Sequence, residues 1–342
     1  MKKTFILVIT LVMSVATFAQ QLATLNHNDS ITVFYGMNAL QQAHASAVNG
    51  DIITLSPGIF NSVDITKAVT IRGAGAWADT NGNNNTIIYN ETALTIPNDA
   101  THHLTMEGLY FMNNVVYITV YNPQFYKCHL HGLNYGSNVT TMQNANITNC
   151  IVENFSNCYI NSQWVAQGSQ FYNSVILNIS DVGGNSLNTH GPESFINCVL
   201  SQNPQLMASR LFQNCILYWS WQYSGSPSGS GSNAFNCMYI NTGYSANLFS
   251  DIAGHVLWNK SSMSSVFKNF NGGVGSTTTF ELQDSIVSNY LGMDGTQIGI
   301  YGGLHPFSPK VTSPVIKSIN VALRNNSEGK LEVNIEMVSE DE

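Results

Sequence analysis

Charge is what this chain has least of. Only 9% of its 342 residues are Asp, Glu, Lys or Arg, against about 25% in ordinary soluble domains. Arginine occurs at three positions, Arg72, Arg210 and Arg324. No basic patch can neutralise phosphates, so no nucleic acid is expected as a partner. A C-x-x-C pair is also missing, which leaves no metal and no zinc site to propose. Long apolar runs are absent too. The one at the amino end, Phe5 to Ala16, is shorter than the roughly 20 residues that span a bilayer. Beyond residue 50 no long stretch holds apolar residues at a 3.6 period, and Asn, Gly and Ser are frequent, which excludes a helical protein.

The amino end reads as a cleavable export signal over residues 1–19. Lys2 and Lys3 precede the apolar run, and Thr17-Phe18-Ala19 precede Gln20. No cysteine follows that point to carry a lipid anchor. The mature chain is therefore expected to be exported without a membrane span, to the medium, the periplasm or the cell surface. The formal charge of -8 becomes -8 - 2 = -10 once Lys2 and Lys3 leave. Much of it lies in the tail, at Glu328, Glu332, Glu336, Glu340, Asp341 and Glu342.

What the chain does have is a repeat. Phe212-Gln213-Asn214-Cys215-Ile216-Leu217 recurs as Phe195-Ile196-Asn197-Cys198-Val199-Leu200, Phe171-Tyr172-Asn173-Ser174-Val175-Ile176, Ile147-Thr148-Asn149-Cys150-Ile151-Val152 and Phe125-Tyr126-Lys127-Cys128-His129-Leu130. The fourth positions, 128, 150, 174, 198, 215 and 237, step by 22, 24, 24, 17 and 22 residues. Such a period means one supersecondary unit stacked on its neighbours. Within the phrase the apolar positions are one, four and six, whereas a continuous strand buries one, three and five. Parity is reset at the third residue, where a single left-handed residue between two short strands suffices. Asn and Gly tolerate that conformation best, and Asn149, Asn173, Asn197, Asn214 and Asn236 occupy the position, with Gly73 and Gly108 in earlier phrases and Lys127 as the misfit. The expected fold is all-β: a single-stranded right-handed parallel β-helix, a solenoid whose stacked Asn side chains form a ladder.

Six cysteines in an exported chain ordinarily mean disulfides, but five of these share one column of the repeat. Stacked neighbours lie near the ~4.8 Å strand spacing with parallel side-chain vectors, beyond disulfide geometry. Buried free thiols are expected. Cys158, in the offset phrase Phe155-Ser156-Asn157-Cys158, is assigned to another face.

Residues 37–48 hold Met37, Leu40, Ala43, Ala47 and Val48 at helical spacing, a short helix to cover the first rung. Then come Gly50-Asp51-Ile52-Ile53-Thr54-Leu55-Ser56-Pro57-Gly58-Ile59-Phe60 and Ile71-Arg72-Gly73-Ala74-Gly75. At these residues the chain resembles the opening of pectate-lyase-like right-handed parallel β-helix proteins, with G-D-x-I-x-L-x-P-G-x-[YF] and I-x-G-A-G. The resemblance continues with the repeat over roughly residues 35–305. Asp294-Gly295-Thr296-Gln297-Ile298-Gly299-Ile300-Tyr301-Gly302 is similar to the last rung of exported β-helix repeat proteins of Bacteroidetes-type bacteria. Loops are expected at residues 181–186 and 224–231. The organisation expected is a signal at 1–19, a capped β-helix over 20–310, and a C-terminal hairpin with acidic tail over 311–342.

The resemblance implies polysaccharide-directed proteins, many of them lyases or hydrolases. A lyase of this fold needs a cation, often Ca2+ on clustered carboxylates, and a hydrolase needs two facing carboxylates. No acidic cluster at one-coil spacing and no N-T-D or D-D phrase is found in the coils. The expectation is thus an exported monomeric protein that presents a polar surface to polysaccharide or a surface partner, without a recognisable catalytic constellation and without a cofactor. The alternatives are a polysaccharide lyase or glycoside hydrolase, for which alone calcium is called, and a structural surface protein or adhesin. The catalytic candidates are Lys127, His129 and His131, expected to alternate outward as one cationic strip. Tyr218, Trp219, Trp221 and Tyr223 are the candidate carbohydrate platform, since sugar C–H faces stack on exposed aromatics.

Overall fold

The computed structural model describes residues 21–77, 85–96, 101–135, 141–160, 163–164, 166–177, 179–182, 193–201, 211–219, 233–241, 257–260, 262–270, 279–308, 315–321, 330 and 333–338. They form a parallel β-solenoid. Ile53, Ile71, Met106, Phe125, Ile147, Phe171, Phe195, Phe212 and Ala234 stand in register, each on the next coil. All are buried. The phenylalanines of this column stack, with Phe171 and Phe195 centroids 4.8 Å apart and Phe195 and Phe212 5.3 Å apart.

Every coil in this column from Met106 onward turns at one left-handed residue. Gly108, Lys127, Asn149, Asn173, Asn197, Asn214 and Asn236 have φ between 45° and 63°. Lys127 adopts the conformation although lysine lacks asparagine's tolerance for it, at a cost of roughly 1 kcal/mol. Gly73 does not: its φ is outside that region, and it is glycine because an added Cβ would strike the Gly108 carbonyl oxygen. The corner N–H groups carry the stack. Lys127 donates to Thr148 O, Asn149 to Tyr172 O, Asn173 to Ile196 O, Asn197 to Gln213 O and Asn214 to Phe235 O, at 2.9 to 3.0 Å.

The residue after the corner has no such carbonyl in reach, and this explains the cysteine column. The N–H of Cys128 donates to Cys150 Sγ and that of Cys215 to Cys237 Sγ, both at 3.4 Å. Cys150 N–H donates to Ser174 Oγ at 3.0 Å. Each thiol in turn points its hydrogen at a carbonyl, Cys150 at Thr148 O and Cys215 at Gln213 O, both 3.2 Å away. The five thiols are free and buried, as expected, and burial raises those of Cys150, Cys215 and Cys237 well above the ordinary range. Cys158 lies in a strand, Phe155–Ile160, that joins the other sheet rather than the column.

The amino end is covered as expected, by α1 (Ala39–Ser46), which buries Ala39, Leu40, Ala43 and His44. A hairpin not anticipated joins it: β1 (Leu22–His27) pairs antiparallel with β2 (Ser30–Tyr35) and with β3 (Ile52–Leu55). Near the carboxyl end, Val315–Val321 and Val333–Val338 form the expected antiparallel hairpin as a sheet of their own. Asp181 is in a strand, Ile179–Val182, paired with Phe155–Cys158, rather than in a loop. Residues 183–186 and 224–231 lie outside the described residues.

The largest departure concerns residues 279–303. Instead of closing a last rung, they, with the helix α2 (Asp284–Asn289) and together with residues 263–270, lie against the side of the coils. Met263, Phe267, Phe280, Leu282, Ile286, Ile298 and Ile300 cover the outward column Ile151, Val175, Val199, Ile216 and Met238. Residues 279–303 also take the asparagine amides expected to bond to one another. Asn173 Nδ2 donates to Ile300 O and Gly302 O at 2.9 and 2.7 Å, Asn236 Nδ2 to Leu291 O at 3.0 Å, and Asn214 Oδ1 accepts from Met293 N–H at 2.8 Å. The glycines of the terminal phrase follow from this contact. A Cβ on Gly292 would lie 2.7 Å from the Asn214 amide, and Gly299, at φ 78°, packs on Ile216.

Two predictions follow from these contacts. Serine and alanine at position 215 differ chiefly in the acceptor, so Cys215→Ser is expected to be more stable than Cys215→Ala by about 1 kcal/mol in urea unfolding. Equal stability would remove the role assigned to the sulfur. In the cap, Thr66 N–H donates to His44 Nε2 at 3.3 Å, and burial, reinforced by Lys67, lowers the His44 pKa from 6.5 to about 4. The unfolded chain then binds the proton first, so stability is full above the unfolded value and falls as pH drops from 6.5 towards 4. The loss attributable to His44 is on the order of 2 to 3 kcal/mol, and His44→Gln is expected to flatten the curve of midpoint against pH.

Candidate polar groove beside His131

His129 is outward-facing, as its parity requires, yet it is buried. It belongs to the column Tyr110, His129, Ile151, Val175, Val199, Ile216 and Met238, whose lower members are the apolar ones covered by residues 263–303. His129 sits where that column turns polar, stacked on Tyr110 at 4.6 Å between centroids. Lys127, at the corner, is also buried, at 3% exposure. The expected outward strip of three cations is therefore corrected: only His131 is open to solvent, with 47% of its side chain exposed.

What binds the two histidines is a residue the sequence reading did not select. Val152 pairs with Leu130 and Phe155 with Leu133, which sets Glu153 on the coil next to His131. Its Oε1 lies 2.8 Å from His129 Nε2 and its Oε2 2.8 Å from His131 Nδ1. Burial lowers the His129 pKa below 6.5, against the opposing pull of Glu153, so at neutral pH this ring is uncharged and uses its Nε2–H to donate. Glu153 Oε2 lies against His131 Nδ1, so the carboxylate accepts Nδ1–H and Nε2 is left on the far side of the ring. The Nε2 lone pair of His131 then points away from Glu153, and it meets no protein partner among the described residues.

On its open side His131 lines a polar groove of about 260 Å³ with Tyr89, Asn90, Glu91, Asn113 and Asn114. A bulge makes room for it. Leu130 pairs with Phe111 and Gly132 with Asn114, so Met112 and Asn113 together oppose His131. Asn154 donates Nδ2–H to His131 O at 2.9 Å. Tyr89 is 46% exposed, and Asn90 turns the chain at φ 74°. Among the described residues no Lys or Arg lines the groove.

Of the aromatic candidates, Tyr218 and Trp219 lie on the strand Ile216–Trp219, and Trp221 and Tyr223 are outside the described residues. Arg72 is structural, with Nε 3.2 Å from Glu107 Oε2 on the neighbouring coil. Among the described residues no group of three His, Cys, Asp or Glu side chains is placed to hold a metal ion. Glu153 was open to detection. It follows the corner Asn149 at the same offset as His131 follows the corner Lys127, so aligning the repeats places the pair side by side.

No family model matches the chain, and no curated protein matches it.

The wiring predicts a tautomer. In imidazole ¹⁵N spectra the neutral form of His131 is expected as Nδ1–H and that of His129 as Nε2–H. Glu153→Gln is expected to mix the His131 tautomers and, by leaving His129 without its carboxylate, to cost about 1 to 3 kcal/mol of stability. Unchanged spectra in that variant would contradict the assignment.

Proposed function

We propose that this is an exported, pectate-lyase-like β-helix protein that binds extracellular polysaccharide along the groove beside His131. The observation that carries the reading is the lining: asparagine amides, a tyrosine face, a histidine and a carboxylate in one concave corner. Sugars are recognised by this combination, amides and carboxylates for the hydroxyls and an aromatic face for the C–H side of the ring. Glu91 in the lining, with no Lys or Arg beside it, disfavours uronates and favours a neutral glycan. Export to the medium, periplasm or surface follows from the signal-like amino end, and a monomer is the simplest state for one solenoid with a covered amino end.

A glycan array probed with residues 20–342 tests the reading. Neutral polysaccharides are expected to bind saturably in preference to polyuronates. Tyr89→Ala is expected to weaken binding about tenfold, the equivalent of ~1.4 kcal/mol. Preference for polyuronates, or indifference to the substitution, would refute the groove as the site. Silence across the array would favour a structural surface protein.

A further inference from the structure

We propose that His131 is a general base that hydrolyses O-acyl esters on a neutral glycan held in the groove, with Glu153 as its positioning residue. This rests on the groove being the glycan site. A carboxylate that receives Nδ1–H fixes the ring and its tautomer and presents the Nε2 lone pair to the ligand side, the arrangement that makes a histidine an effective base. Here Glu153 Oε2 holds Nδ1 at 2.8 Å, and its other oxygen is itself held by His129 at 2.8 Å. The carboxylate is thereby locked between two rings, one of them buried against Tyr110.

The surroundings select the reaction. Hydrolysis of a glycosidic bond needs two carboxyl groups about 5 to 9.5 Å apart. Glu91 is the one carboxylate among the described residues that line the groove, and Glu153, behind His131, has both oxygens held by histidines. Elimination from a uronate needs a cation at its carboxylate, and the groove offers Glu91 instead. Ester hydrolysis needs one base, water and donors for an oxyanion. In the first step His131 Nε2 takes a proton from water as its oxygen bonds to the acyl carbon and the carbonyl π pair moves onto oxygen. The amide N–H groups of Asn90, Asn113 and Asn114, which line the same groove, supply donors for that charge. In the second, the pair returns, the bond from the acyl carbon to the sugar oxygen breaks, and that oxygen takes the proton from His131. The products are the sugar alcohol and a carboxylic acid.

Five titratable groups face the imidazole from its own and neighbouring coils: Glu153, His129, Glu91, Tyr89 and, behind His129, Tyr110. All are present in the full chain, so the test uses residues 20–342 with an O-acetylated neutral oligosaccharide, its unacetylated form serving as the binding control. Acetate release followed by NMR is expected from the wild type. His131→Ala is expected to lower kcat at least 100-fold, a loss far larger than any accompanying change in control binding. Glu153→Gln is expected to lower kcat with little change in KM and to alter the pH profile of the rate, which a merely structural Glu153 would leave in place. Control binding without acetate release, or release indifferent to His131→Ala, overturns the esterase assignment and leaves the groove reading standing. Neither binding nor release overturns both.

Discussion

The solenoid from Met106 onward depends on one backbone constraint: a single residue in the left-handed region must reverse side-chain parity between two short strands, at the same place in each coil. Asparagine meets the constraint because its short amide tolerates that region without glycine's entropy in the unfolded chain. Once the corner is fixed, its N–H finds the carbonyl one coil on, the following N–H finds a thiol or hydroxyl, and the phenylalanines fall into a stack.

The same corner also exposes a problem that residues 263–303 solve. Reversed parity leaves an outward column of Ile151, Val175, Val199, Ile216 and Met238, and asparagine amides beside it. Packing a segment along the column buries the first and satisfies some of the second, although Asn149 Oδ1, Asn197 Oδ1 and Asn214 Nδ2 keep no partner. Where that cover ends, the column changes to His129 and Tyr110, and Glu153 takes the place of an apolar neighbour. The groove is thus the uncovered, polar continuation of a surface that is elsewhere sealed.

The solenoid was legible because its signal is periodic. Asn149, Asn173, Asn197, Asn214 and Asn236 announce a left-handed corner by residue type alone, and the steps between them are the coil lengths found in the strand register. Gly73 misled, since glycine answers to close approach as well as to positive φ. Residues 279–303 resemble a last rung through the phrase Asp294 to Gly302, while their glycines are dictated by contact with Asn214 and Ile216, more than 70 residues earlier in the chain. The site was half legible. His129 and His131 stood out as titratable groups, but Glu153 becomes their partner only when two coils are laid side by side, and Asn90, Asn113 and Asn114 look like any other turn asparagines in a chain full of them.

The most direct test of the site is an NMR titration of ¹⁵N-histidine-labelled residues 20–342 with a neutral oligosaccharide drawn from a polysaccharide that the array retains. A glycan groove beside His131 predicts saturable shifts at His131, smaller ones at His129, and none at His44 under the cap. Saturable binding that leaves His131 unmoved would place the glycan elsewhere and contradict the reading of this corner as the functional site.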